Sequence, residues 1–221
     1  MTDIAIVDYG MGNLRSVSKA LEHVAQGASI SVTGDPDVVR AASRIVVPGQ
    51  GAMPDCLREL DKLGLREAVV DAAMRKPFLG ICLGLQMLFD RSEEGNVNGL
   101  GIVTGKVRRF AIAPVSNTEQ KLKVPHMGWN QVHQAVEHPM WKDIPQDARF
   151  YFVHSYYVET TDDGPMAAYS HYPFPFTCAV AKDNIFAVQF HPEKSQEAGL
   201  ALLSNFVHWQ PALSSDAPSR V

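Results

Sequence analysis

Lys76-Pro77-Phe78-Leu79-Gly80-Ile81-Cys82-Leu83-Gly84-Leu85-Gln86-Met87-Leu88-Phe89 is the stretch on which the reading of this chain turns. Phe78 to Ile81 is a short apolar run suited to a buried parallel strand. Leu85, Leu88 and Phe89 recur at helical spacing, so the chain must reverse from strand to helix around Cys82. Glycines stand two residues to either side of that cysteine. Lacking side chains, Gly80 and Gly84 allow the sharp turn of a nucleophile elbow, with cysteine where hydrolases carry serine. Cys82 would then stand at the carboxyl edge of a sheet, at the N-terminus of the following helix. A free cysteine is commonly a plain core residue. A core position, however, has no use for two flanking glycines and an abrupt reversal.

A second segment, Ile185-Phe186-Ala187-Val188-Gln189-Phe190-His191-Pro192-Glu193, reads as a last buried strand ending in a histidine and a carboxylate. In extended chain, residues i and i+2 point the same way, so His191 and Glu193 project to one side and Pro192 keeps the segment from coiling into a helix. A cysteine nucleophile needs a base to take its proton and a third group to fix the imidazole tautomer. The chain offers all three in the order Cys, His, Glu; alone, His191 would read as a capped strand end.

With 221 residues and 46% hydrophobic content, the chain can bury one large core. The expectation is a single α/β domain over residues 1–210, with a Ser-, Ala- and Pro-rich tail at 211–221 expected to be disordered. Twenty basic against 24 acidic residues, scattered along the chain, give no basic stripe for nucleic acid. No apolar run reaches bilayer length, and Met1-Thr2-Asp3 lacks the basic flank of a signal peptide, so no membrane and a cytoplasmic location are expected. Cys56, Cys82 and Cys178 encode neither a disulfide framework nor a CxxC metal site.

Ile4 to Asp8 reads as a first strand, followed by Gly10-Met11-Gly12-Asn13 and a helical face of Leu14, Val17, Leu21 and Val24. The dinucleotide fingerprint is incomplete, since Arg15 occupies the place of the third glycine. Arg44 to Val47 is the next strand; it runs into Pro48-Gly49-Gln50-Gly51, and a helix follows from Met53 to Leu63. In a triad hydrolase the oxyanion hole uses the amide after the nucleophile, here Leu83, and one from a neighbouring strand-to-loop junction, for which this turn is the best candidate. Ser92 to Gly101 is a polar loop, Gly105 to Phe110 a strand, and Ala113 to Lys123 an exposed hairpin or loop. Phe150 to His154 is another strand. The adjacent His154-Ser155 pair is no serine-hydrolase signature, because neighbours on a strand face opposite ways and no elbow surrounds Ser155. Thr177 to Ala181 and Ile185 to Phe190 flank Lys182-Asp183-Asn184 as a hairpin that would carry His191 back toward Cys82. A final helix spans Ala198 to Trp209. His133 and His138 fit no helical metal pair and HExxH is absent, so no metal is expected.

The elbow and the His-Pro-Glu segment resemble the class I glutamine amidotransferases, which carry a Cys-His-Glu triad. Three stretches narrow the resemblance to the branch that serves as glutaminase subunit of imidazole glycerol phosphate synthase. They are Ile6-Val7-Asp8-Tyr9-Gly10-Met11-Gly12-Asn13-Leu14-Arg15-Ser16-Val17, Pro125-His126-Met127-Gly128-Trp129-Asn130 and Tyr151-Phe152-Val153-His154-Ser155-Tyr156, and the likeness runs from about residue 4 to about residue 209. It implies a flavodoxin-like α/β fold with a mostly parallel twisted sheet flanked by helices and some antiparallel strands late in the chain. It also implies Cys82 as nucleophile, His191 as base and Glu193 as its orienter. Leu83, Gln50 and Gly51 would form the oxyanion hole, and Gly49, Gln86, His154, Ser155 and Tyr156 would hold L-glutamine. Asn13, Trp129, Tyr151 and Lys194 would face the partner, a (β/α)8-barrel cyclase subunit forming a heterodimer. No cofactor is implied. Gln50 departs from the valine usual in the family, which leaves a backbone role intact. Two alternatives stand beside this reading. One is an amidotransferase of anthranilate, pyridoxal phosphate or guanylate synthesis, although Leu85 stands where the anthranilate and guanylate types commonly have histidine. The other is a catalytically silent scaffold, which the three filled triad positions disfavour.

Overall fold

Every residue of the first strand, β1 (Ile4–Val7), is buried, with Ile4 and Ile6 facing one core and Ala5 and Val7 the other. A strand covered on both faces has to be apolar at successive positions, unlike one with a solvated face. The computed structural model describes residues 3–111, 123–161 and 164–212. After β1 come α1 (Leu14–Val24), β2 (Ile30–Thr33), α2 (Pro36–Ala41), β3 (Arg44–Gly49), α3 (Met53–Lys62), α4 (Leu65–Arg75) and β4 (Phe78–Cys82). The one-turn α5 (Leu83–Gln86) leads into β5 (Phe89–Ser92), β6 (Val97–Asn98) and β7 (Val103–Arg109). Then follow β8 (His126–Gln131), β9 (His133–Gln134), β10 (Arg149–His154), β11 (Tyr156–Thr160), β12 (Met166–His171), β13 (Pro175–Lys182), β14 (Ile185–Val188) and α6 (Gln196–His208).

The α/β class is as expected. The main sheet runs β2-β1-β3-β4-β14-β13-β11-β7-β5-β6, its first five strands parallel. From β14 onward the neighbours β13, β11 and β7 pair antiparallel, β12 and β9 join at the side, and β8 with β10 forms a separate antiparallel pair. Helix α1 packs beside α6, and α4 beside α2 and α3. Val46, Leu79 and Ile81 meet the α1–α6 core, while Ile45, Val47 and Phe78 meet the other, following the two-residue alternation of strands. Strand β4 is the centre of this arrangement, flanked by β3 and β14, so its carboxyl end opens where three strands converge.

Two sequence expectations are corrected here. The helix after Cys82 is one turn long, and Leu88 and Phe89 leave it; the Phe89 carbonyl is closely covered by Gly99, and Phe89 begins a strand paired with β7. Nor does the strand run on through Glu193: β14 ends at Val188, and beyond an extended His191 the residues Pro192–Lys194 form a 3-10 turn with proline at its first position. Proline is compatible with that position because its missing N–H would have had no helical partner. The expected hairpin at Lys182-Asp183-Asn184 forms, with Lys182 opposite Ile185 and Asp183 at φ 51°. Nearly all of the expected 113–123 loop, and the tail from residue 213, lie outside the described residues.

Candidate active site

Cys82 ends β4 at φ 55° and ψ −105°, a backbone conformation that a non-glycine residue adopts only when its surroundings impose it. The imposition is steric. A methyl group on Gly84 would run into the Val47 carbonyl, and one on Gly80 would come within 2.7 Å of the Gly84 carbonyl oxygen. The two glycines thus let α5 fold back across β3 and β4, leaving Cys82 6% exposed at the sheet edge. The other cysteines are placed differently: burial pushes the Cys56 thiol up to about 12 and Cys178 well above its ordinary value, so both stay protonated.

His191 Nδ1 lies 2.8 Å from Glu193 Oε1, and both side chains are almost wholly buried. With Nδ1 engaged by the carboxylate, Nε2 is the ring nitrogen left for Cys82; it is buried and makes no hydrogen bond in this conformation. Burial alone would lower the proton affinity of this imidazole, but the Cys82 sulfur and the Glu193 carboxylate together outweigh it and raise it. The loop is stitched to β10: the His191 amide donates to the Tyr151 carbonyl at 2.9 Å, and Ser195 Oγ donates to the His191 carbonyl at 2.6 Å.

Gly49 pairs with Cys82 in the parallel ladder. That ladder begins with the Ile45 amide donating to the Pro77 carbonyl, so odd residues of β3 face β4 and even ones face β1. Carried to its end, the alternation sets the Gly49 carbonyl against the Leu83 amide and turns the Gln50 amide the opposite way. The two carbonyls flanking this peptide are tied down separately. Tyr9 Oη donates to the Pro48 carbonyl at 2.6 Å, and Cys56 Sγ donates to the Gln50 carbonyl at 3.4 Å. Gly51 sits at φ 95°. The expected oxyanion donors are therefore adjacent to Cys82, and the strand register aims the Gly49 carbonyl at the Leu83 amide.

A cavity of about 420 Å³ opens over Cys82 and His191, lined also by Gln50, Gly51, Leu83, Gln86, His154, Ser155 and Tyr156. Among the expected glutamine-binding residues, only Gly49 stays behind this wall. Glu94, read in the sequence merely as part of a polar loop, also lines it and is fixed by the Met53 amide at 2.8 Å. Deeper in, Gln86 Nε2 meets Gln189 Oε1 at 3.0 Å, and Gln189 Nε2 lies 3.6 Å from Cys82 Sγ. Gln189 was missed because, within Ile185 to Phe190, one glutamine reads as an ordinary strand position.

His154 joins the cavity to a buried histidine pair. Its Nδ1 donates to the Tyr156 carbonyl at 2.7 Å, so its Nε2 must accept from His126 Nδ1 at 2.8 Å. His126 Nε2 then accepts from Asn130 Nδ2 at 3.2 Å. This order requires both rings neutral. Burial accordingly pulls His154 down to about 3 and His126 to about 4.

Trp129 and Tyr151 are cross-strand neighbours on β8 and β10, their rings 6.1 Å apart, and Lys194 Nζ lies 6.0 Å from the Tyr151 ring centre. Trp129 is 42% exposed, too open for a core anchor. Asn13 lines a narrow crevice with Pro48, Gly49, Gln50, His191 and Glu193, against the turn that carries Lys194. Among the described residues no cluster of His, Cys, Asp and Glu could hold a metal ion, and no helix is long and apolar enough to cross a membrane.

The family model for class-I glutamine amidotransferases fits residues 5–209. The chain is 74% identical to the imidazole glycerol phosphate synthase subunit HisH of Nitrosospira multiformis, covering 96% of this chain and 100% of that protein. Identity to the HisH subunit of Nitrosomonas europaea is 63%, with the same coverage. Among solved structures, PurLQS from Thermotoga maritima superposes with a TM-score of 0.69 at 20% identity, covering 94% of this chain and 99% of that one. A glutamine amidotransferase from Thermotoga maritima gives 0.61 at 15% identity, over 94% and 96% of the two chains. At such identities the structural likeness speaks for the fold alone.

Proposed function

The chain belongs to the class I glutamine amidotransferases, in the branch of the imidazole glycerol phosphate synthase subunit HisH, and from that footing we propose that it hydrolyses L-glutamine to glutamate and ammonia for a cyclase partner. The observation that carries the proposal is the buried Cys82 on its strained elbow, with His191, raised in proton affinity and bonded to Glu193, beside it.

In this reading the Cys82 thiolate attacks the side-chain carbonyl carbon of glutamine, and His191 holds the proton taken from the thiol. The tetrahedral oxyanion collapses, the C–N bond breaks, and His191 gives its proton to the leaving ammonia. His191 then takes a proton from water, whose oxygen attacks the glutamyl thioester and releases glutamate and the thiolate. Glu193 holds the imidazole in the tautomer that keeps Nε2 toward sulfur. Gln86, Ser155, Tyr156, Gln50 and Gly51 line the substrate, and the Glu94 carboxylate suits an α-ammonium group.

The oxyanion hole is the regulated part. Rotating the single Gly49–Gln50 peptide plane would withdraw the Gly49 carbonyl from the Leu83 amide and turn the Gln50 amide inward, supplying two donors at once. A side chain at position 50 does not enter that motion, so glutamine in place of valine is tolerated. Ammonia released into neutral water would be protonated and lost as a nucleophile, which favours direct delivery. The cyclase, a (β/α)8 barrel, would dock on the Trp129, Tyr151 and Lys194 face and use the ammonia to make imidazole glycerol phosphate and an aminoimidazole carboxamide ribotide. Residues 1–210 act as one domain in this scheme, the heterodimer is the working form, its location is cytoplasmic, and no cofactor takes part. The test is to mix the purified chain with that cyclase and follow both products. Glutamate and imidazole glycerol phosphate should appear in step; glutamate release without any glutamine-dependent synthesis would overturn the assignment.

A further inference from the structure

Gln189 is fully buried behind Gln86 and Cys82, which line the substrate cavity, and the hydrogen bonds around it run in one direction only. Gln86 Nε2 is within reach of two oxygens, the Tyr156 carbonyl at 3.3 Å and Gln189 Oε1 at 3.0 Å, so it is the donor in both contacts. Reversing the Gln189 amide would set two NH2 groups against each other. Its Nε2 is therefore directed at Cys82 Sγ, 3.6 Å away, a separation suited to the larger radius of sulfur.

We propose that Gln189 is a further catalytic residue of this site: its side-chain amide donates a hydrogen bond to the Cys82 sulfur, and Gln86 keeps it in the donating orientation. The proposal rests on the reading of Cys82 as nucleophile. A hydrogen bond to an ionised group is stronger than one to a neutral group, so an N–H aimed at the sulfur favours thiolate over thiol. It also restrains the side-chain rotamer, keeping the sulfur over the cavity. Gln86 Oε1 is buried without a partner, leaving it open to a donor on the substrate. One side chain thus reaches both the substrate and the group that steadies the nucleophile.

The test uses the full chain with its cyclase and follows iodoacetamide alkylation of Cys82 by peptide mass spectrometry across a pH series. In Gln189→Leu and the near-isosteric Gln189→Met, the pH of half-maximal alkylation should rise by about one unit, as expected for losing one hydrogen bond to a charged group. Glutaminase kcat should fall about tenfold with KM within about twofold, the pattern of a group acting on the reacting atom. Gln86→Leu should reproduce part of the alkylation shift without glutamine present. A Gln189 variant that melts like the parent and keeps the parent pH profile would overturn the proposal. If both Gln189 variants melt early, an unchanged profile in Gln86→Leu would do the same. Absence of glutamine-protected alkylation at Cys82 in the parent chain would instead remove the nucleophile reading itself.

Discussion

His126 Nδ1 stands 2.8 Å from His154 Nε2, with Asn130 donating at one end and the Tyr156 carbonyl accepting at the other. That chain of donors leaves no site for a second proton on either ring. Burial holds the two at about 4 and about 3, whereas an unfolded histidine titrates near pH ~6.5. Between those values the unfolded chain binds more protons, so the contribution to stability is complete above pH ~6.5 and is lost as pH falls toward 4. His191, raised rather than lowered, adds no slope of this sign. The melting midpoint should decline steadily across that window, and His126→Phe should flatten the decline; a midpoint constant over it would contradict the assignment.

Cys82→Ser should abolish glutamine-dependent synthesis while leaving the complex able to use added ammonium, because the nucleophile serves only the hydrolytic half and a hydroxyl is far less acidic than a thiol. The paired assays distinguish this from misfolding. Loss of both activities together would count against it.

Trp129→Ala should weaken association with the cyclase by about 2 kcal/mol or more, roughly thirtyfold, as an aromatic anchor at an interface does. Folding stability should hardly change, since the indole is 42% exposed and rests mainly against Tyr151. A melting curve beside a binding titration separates the two quantities. A large fall in melting temperature with unchanged affinity would show the residue to be structural.

Gly51→Val should cost about 1 to 3 kcal/mol of stability, because φ 95° is costly for a branched side chain, and a Cβ there meets Met11 Cε at 2.8 Å. Its larger effect should be on coupling. Losing one oxyanion donor costs about 10²- to 10³-fold in rate, so cyclase-stimulated glutaminase should fall much further than the basal rate. Steady-state assays with and without ligand-loaded cyclase measure the ratio, and an unchanged ratio would remove the turn from the switch.

The elbow was legible because its requirement is steric and local: Gly80 and Gly84 are needed wherever a helix doubles back on the strand that carries Cys82. The pairing of His191 with Glu193 was legible too, although through the wrong geometry. His191 is still extended and the turn begins only at Pro192, so its Nδ1 reaches Glu193 across the turn's first residue, a contact that spacing alone does not separate from a continuing strand. The length of α5 was hidden for a related reason, since Leu85, Leu88 and Phe89 satisfy helical periodicity whether or not Phe89 is drawn into a strand by β7. Tyr9, Glu94 and Gln189 were opaque for a different reason. Each acts through a partner distant in sequence, as Tyr9 does on Pro48 and Gln189 on Cys82, and only the assembled sheet brings those partners together.

If Cys82 forms a covalent glutamyl intermediate, treating the cyclase-bound chain with a diazo-ketone analogue of glutamine and mapping its peptides should reveal the nucleophile. One adduct should form, on Cys82, prevented by excess glutamine and absent from Cys82→Ser. An adduct on another residue, or glutaminase turnover persisting in a chain fully labelled at Cys82, would contradict the account.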